Sequence, residues 1–310
     1  MTKGIIILGN GFDLDLGLKT NYADFAKSRF WDELMSGNPH SLVGDRLLGF
    51  LRAKYNVEKW IDIEAALLEY ALQKTQDRDV KYAAEDRKDF GLLCGALKAY
   101  LMDQQKSFVP KSNSVAKELL RRFSRLSSAS ALYSFNYTML NVLSIKIGAG
   151  LGLGVGNGLR NDAIHIHGSL QDDGNLILGI DTTMEIIEDY AFLFKTQNRQ
   201  YRHTDILKDL RGRDEYIFFG HSLNGMDYSY FSLLFSNLTI SHNPTPRLTI
   251  ITKNEEEEEH FKNFLRRSHV SLQELYSNSI PTFILTDEVY KRREDELDKL
   301  NALLVRIQNM

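Results

Sequence analysis

Hydrophobic and polar positions divide the chain into three stretches of different rhythm. Gly4-Ile5-Ile6-Ile7-Leu8 is an unbroken apolar run that stops at Gly9, the pattern of a short strand buried on both faces of a parallel sheet. From residue 22 to about 126 the period is helical. Thr20 or Asn21 is placed to cap a helix carrying Phe25, Phe30 and Trp31, and further faces recur at Leu47, Leu48 and Leu51, at Trp60, Ile63, Leu67 and Leu68, and at Leu92, Leu93, Leu97 and Leu101. From residue 129 onward short apolar runs alternate with helical segments. They predict strands over 131–135, 163–166, 175–179, 216–219, 248–252 and 282–285. Alternation of this kind argues for a doubly wound, mostly parallel α/β sheet with right-handed crossovers. The division expected is an α/β domain of residues 1–21 and 129–310, with a large all-helical insertion subdomain, 22–128, after the first strand. Residues 288–307 read as one amphipathic helix that docks on the sheet or on another subunit.

Composition narrows the class without naming a chemistry. With 43% apolar residues and only 5 prolines in 310, the chain is neither fibrous nor disordered. Basic and acidic residues number 38 and 41, so nothing resembles the footprint of a nucleic-acid binder. The first eight residues are too short for a signal-peptide core or a membrane span, and a soluble cytoplasmic protein is expected. Lone Cys94 can form no intrachain disulfide and belongs to no zinc-ligand spacing. Its place beside Leu92, Leu93 and Leu97 is that of a buried structural thiol. Glycines 148, 150, 152, 154, 156 and 158 all fall at even positions, so they cannot meet the spacing G-x-G-x-x-G and read as a loop. The five glutamates 255–259 suit the first turn of a helix and need no ligand.

Candidate chemistry gathers at strand ends. The junction Leu8-Gly9-Asn10-Gly11-Phe12-Asp13 lets backbone approach a ligand closely, although Leu14 stands where the dinucleotide fingerprint needs glycine. Three further strand ends carry Ser134-Phe135-Asn136-Tyr137-Thr138, His165-Ile166-His167-Gly168-Ser169, and Gly220-His221-Ser222-Leu223 followed by Asp227. Ligands of open α/β sheets collect outside the carboxyl ends of strands, which makes these residues candidates for one site. Each also has a bland explanation: Asn136 or Ser222 as a helix cap, His165 as a satisfied core histidine. His165 and His167 share a strand face, but no third ligand accompanies them in a recognisable spacing, and no metal is expected.

The order of these motifs resembles the sirtuin superfamily. Within it the chain is most similar to the phage abortive-infection family AbiH, in GNGFD, FNYT, HGS, and GHSL followed by Asp; Trp60-Ile61-Asp62-Ile63-Glu64 also resembles an element of the AbiH insertion. The matching pieces run from Gly9 to Phe231. The resemblance implies a sirtuin-like, Rossmann-type nucleotide-binding sheet and an effector that cleaves the nicotinamide–ribose bond of NAD⁺, depleting it on infection. It implies Asn136 and His167 as catalytic residues, with Asp13 or Glu64 supplying negative charge, and Gly9, Asn10, Gly11, Phe12, Ser134, Gly168, Gly220, Ser222 and Asp227 as NAD⁺ contacts. Sirtuin deacylases carry a four-cysteine zinc module that one cysteine cannot build, so an NAD⁺ glycohydrolase using water is expected, not a zinc-dependent deacetylase. The alternative is a non-catalytic nucleotide-binding sensor or an interaction protein in phage exclusion. Expected partners are NAD⁺, a second copy of the chain and a phage-derived trigger, with no membrane and no nucleic acid.

Overall fold

The computed structural model describes residues 3–58, 62–123, 126, 130–148, 163–171, 176–181, 184–198, 201, 204–223 and 227–310. Trp60 and nearly all of the glycine-rich loop fall outside them. In chain order, β1 (Gly4–Leu8) leads into α1 (Asn10–Leu16), then α2 (Tyr22–Phe25), α3 (Arg29–Gly37), α4 (Leu47–Glu58), α5 (Ile63–Asp77), α6 (Ala83–Ser107) and α7 (Val115–Phe123). β2 (Ala131–Ser134), α8 (Leu140–Lys146) and β3 (Ile164–His165) follow. After 3₁₀ turns at Glu188–Leu193 and Lys195–Gln197 come α9 (Thr204–Asp209), β4 (Glu215–Phe219), α10 (Tyr228–Asn237), β5 (Arg247–Thr252) and α11 (Glu255–Arg267). The chain closes with α12 (Leu272–Asn278), β6 (Ile280–Leu285), α13 (Thr286–Tyr290) and α14 (Glu294–Gln308). It divides into two units: residues 3–18, 108–166 and 202–310, and residues 19–107 and 167–201.

The first unit is a six-stranded sheet in the order β3-β2-β1-β4-β5-β6, parallel throughout. This is the strand order of Rossmann-like folds. Period-two alternation covers both faces. Ile6 and Leu8 of β1, Ile217 and Phe219 of β4 and Ile251 of β5 join a core with Phe12 and Leu16 of α1, Leu119 and Leu120 of α7, and Leu303 and Ile307 of α14. On the other face Phe218 packs on Phe231 and Phe235 of α10, and Phe261 of α11 lies between Phe235 and Phe283. Asp15 ties the first helix down: its Oδ2 accepts Ser114 Oγ at 2.9 Å and the Ala116 amide at 2.8 Å, while Tyr290 donates to its Oδ1.

Three expectations change here. Helix α7, assigned to the insertion, belongs to the sheet unit, because Val115, Ala116, Leu119, Leu120 and Phe123 all enter its core. The terminal helix is two, broken at Lys291–Arg293 with Arg292 at φ 57°, and its apolar face is spent on its own sheet unit. Residues 176–179, expected as a strand, stay outside the sheet: they belong to the second unit, and Gly179 adopts φ 146°.

The second unit is helical. Asn21 caps α2 through the Asp24 amide, but the one helix expected to carry Phe25, Phe30 and Trp31 is two, α2 and α3, with Ser28 at the N-cap of the second. Cys94 is buried, with its thiol pushed up to about 12 by desolvation. At its centre lies an ionic network. Asp86, fully buried, accepts from Arg46 Nε at 3.0 Å, Tyr70 at 2.6 Å, Tyr190 at 2.9 Å and the Leu47 amide at 3.2 Å. Arg46 Nη2 also reaches Asp89 at 3.2 Å. Burial pushes both tyrosine hydroxyls well above their ordinary range, so they remain donors to Asp86. Removing one partner of a buried charge set leaves the others uncompensated. Arg46→Met is therefore expected to cost about 3–5 kcal/mol in urea denaturation; an unchanged midpoint would contradict this account of the helical unit.

Candidate functional site

In this strand order the chain reverses direction across the sheet between β1 and β4, and that switch point is where open α/β sheets hold ligands. Register brings the strand ends level. Leu8 stands beside Ser134 on one side and Phe219 on the other, so Gly9, Phe135 and Gly220 leave the sheet together.

The glycines answer first to each other. A Cβ on Gly9 would lie 2.5 Å from His221 Cα, one on Gly11 would lie 2.6 Å from Gly220 Cα, and one on Gly220, at φ 61°, would lie 2.3 Å from Gly11 Cα. The two loops touch backbone to backbone. Their amides are also committed: Gly9 N–H donates to Phe219 O, Gly11 N–H to Gly220 O and Phe12 N–H to Gly9 O, at 2.9, 2.9 and 3.0 Å. None of these three amides is left to hold a phosphate.

Around this crossing the polar residues of β1 and β2 interlock. Asn136 Nδ2 donates to Gly9 O at 3.0 Å and to Asp13 Oδ1 at 2.9 Å, while Thr138 Oγ1 donates to Asp13 Oδ2 at 2.7 Å. Asn136 does not cap the next helix, whose N-cap is Met139. Asp13 is 1% exposed, and desolvation raises its carboxyl from 3.8 to about 7, against the opposing pull of the Thr138 and Asn136 hydrogen bonds. His165, half-buried at the end of β3, places Nδ1 at 2.8 Å from Asn136 O. A carbonyl only accepts, so Nδ1 carries the proton and Nε2 is the basic nitrogen of the neutral ring.

At the end of β4, the Leu223 amide donates to His221 Nδ1 at 3.0 Å, which sets the ring proton on Nε2, facing Asp227 Oδ2 at 3.9 Å. Phe135 and Phe231 pack edge-on against this ring at 4.5 and 5.0 Å.

Gly9, Gly11, Asp13, Asn136 and Gly220 thus come together, with Asp227 beside His221. Other residues take different roles. Phe12, expected to contact NAD⁺, is fully buried between Phe123 and Phe219. Ser134, also fully buried, closes a local turn by accepting the Asn136 amide at 3.1 Å. Asp13, 1% exposed, has each oxygen already accepting a hydrogen bond inside the fold. Ser222 is exposed. Asn10 opens α1. His167 and Gly168, the latter at φ 75°, belong to the second unit, where His167 O accepts the Ile177 amide at 3.1 Å. Glu64 lies in the second unit too, 3.2 Å from the fully buried ammonium of Lys195, which neutralises it.

Residues 5–247 match the model of the family described as bacteriophage abortive infection AbiH. The chain belongs to the AbiH family. No curated protein matches it. The AbiH match runs from β1 to the first residue of β5 and so contains the crossing and all the polar residues around it. Among the described residues of this AbiH chain no cluster of three or more His, Cys, Asp or Glu is placed to hold a metal ion, and no helix is long and apolar enough to cross a membrane. Thr138, His165 and His221, carried by the strand-end motifs but given no role in the sequence, join the site. The signal for Thr138 was its place in FNYT, two residues after Asn136.

Two outcomes follow for stability. Gly11→Ala should cost roughly 1–3 kcal/mol through overpacking, whereas Gly91→Ala, where a new Cβ meets nothing within 4 Å, should be neutral or stabilising; equal denaturation midpoints for the two would contradict the crossing. For Asp13, whose folded pKa is raised, the favourable contribution is complete below about 3.8 and is lost as pH rises through about 7. Asp13→Asn should therefore gain stability over wild type between pH 4 and 8, by about 4 kcal/mol at most. A pH-independent difference would exclude an Asp13 carboxyl titrating near neutrality.

Proposed function

We propose that this AbiH chain acts in phage abortive infection as an NAD⁺ glycohydrolase on a sirtuin-like scaffold. The observation that carries the reading is Asn136 at the switch point. Both its side-chain hydrogens are taken by Gly9 O and Asp13 Oδ1, so the atom it has for a ligand is the acceptor Oδ1. A ribose hydroxyl or an attacking water is the donor that such an acceptor suits, in keeping with the role that the sirtuin resemblance gives this asparagine. In the reaction the bond between ribose C1′ and the nicotinamide nitrogen breaks, both electrons leave on nitrogen, and the cationic ring departs neutral without a proton. Water oxygen bonds to C1′ and gives up its proton to a histidine. The resemblance makes that base His167; His165, with Nδ1–H held by Asn136 O, is the histidine of the sheet unit whose Nε2 is basic. Asp227 beside His221 suits the hydroxyls of the adenosine ribose.

The committed amides of Gly9, Gly11 and Phe12 favour a second reading, in which the crossing is architectural and the chain is a nucleotide-binding sensor or interaction protein. Incubation with NAD⁺, in buffer and in extracts of phage-infected cells, separates the two. Release of nicotinamide and ADP-ribose that falls by roughly 100-fold or more in Asn136→Ala and His167→Ala supports the hydrolase. Normal turnover by both variants would sink the mechanism, and calorimetric nucleotide binding without turnover selects the sensor.

A further inference from the structure

Asp13 is buried, and its carboxylate is built into the place where the side chain of Asn136 is oriented. The Gly9 carbonyl decides which way that carboxamide faces, since only Nδ2 can donate to it, and the second Nδ2 hydrogen goes to Asp13 Oδ1. Among the described residues no hydrogen bond reaches Asn136 Oδ1. Thr138 donates to the other carboxylate oxygen, so Asp13 is held from the same loop that it orients. We propose that Asp13 and Thr138 are positioning residues, which lock Asn136 with its carbonyl oxygen presented to a hydrogen-bond donor of the bound molecule and make that lock depend on the Asp13 carboxylate being ionised.

The groups facing Asp13 bear this out by their neutrality. The two that touch it, Asn136 and Thr138, carry no charge. On its own helix Asp15 is spent on Ser114, Ala116 and Tyr290, and Lys111 Nζ donates to Leu14 O at 2.9 Å. His165 Nδ1 meets the backbone carbonyl oxygen of Asn136 at 2.8 Å. Among the described residues no cation is paired with the carboxylate, and its titration, raised to about 7 by desolvation, falls within the ordinary pH range. Protonation puts a hydrogen on an oxygen that now accepts one, so the charge-assisted hold on Asn136 weakens to a neutral one.

The consequence for turnover rests on the NAD⁺ reading above, and the test keeps the two apart. The side-chain amide signals of Asn136 are followed by ¹H–¹⁵N NMR from pH 5 to 9 in the full chain, alongside nicotinamide release over the same range. The expected result is an Asn136 inflection near pH 7 that disappears in Asp13→Asn and moves to higher pH in Thr138→Val, which loses a bond that lowers the Asp13 pKa. Nicotinamide release should fall on the acid side with the same midpoint and follow the same shifts. An inflection that persists in Asp13→Asn comes from a group other than Asp13 and overturns the proposal, as does an Asn136 signal flat from pH 5 to 9. Expected NMR behaviour without turnover at any pH supports the positioning role and overturns the hydrolase reading instead.

Discussion

Everything at the candidate site depends on two backbones passing closer than any side chain allows. The loop after β1 and the loop after β4 meet at the switch point with Gly9 and Gly11 against Gly220 and His221, at distances that a single methyl group would violate. Because that contact removes the gap between the loops, it also fixes where α1 begins. The first turn of α1 then delivers Asp13 to Asn136 and Thr138, while Asp15, one turn face away, anchors the same helix to α7 and α13.

The cost of this arrangement is a carboxylate out of water with, among the described residues, no cation paired to it. Two neutral hydrogen bonds offset part of the desolvation and leave the rest as a raised pKa, which is the pattern of groups retained for a task other than stability. The helical unit contrasts with it. There the buried acids Asp86 and Asp89 share Arg46, and Glu64 has Lys195, so each of these buried charges is compensated. At the carboxyl ends of the strands, Asp13 is instead held by the neutral donors Asn136 and Thr138.

Much of the sheet was legible in the sequence, since apolar runs bounded by glycine or polar residues marked β1, β2, β4, β5 and β6 within a residue or two. The failures have physical reasons. Leu176 to Ile180 is as apolar and as buried as a strand, but burial of an extended segment does not require a ladder partner, and only Ile180 makes a bridge, to Phe194. The break at Arg292 lacks a glycine or proline to announce it, so the helical period ran on through α13 and α14. The glycines of GNGFD were read as letting backbone approach a ligand. A sequence records that a Cβ is forbidden, not which neighbour forbids it, and here the neighbour is the Gly220 loop. Phe12 and Ser134 were drawn into the site by adjacency, though strand and helix geometry turn both into the core. Asn136, named by motif order, stands at the strand ends beside Gly9 and Asp13.

Membership of the AbiH family links the chain to phage abortive infection, and the crossing supplies the scaffold on which a nucleotide reading stands. The most direct measurement is a crystal structure of the Asn136→Ala variant soaked with NAD⁺. The account predicts an intact dinucleotide across the carboxyl ends of β1, β2 and β4, with the nicotinamide ribose at position 136 and the adenosine half toward Asp227. A dinucleotide bound elsewhere on the chain, or none at saturating NAD⁺, would contradict it.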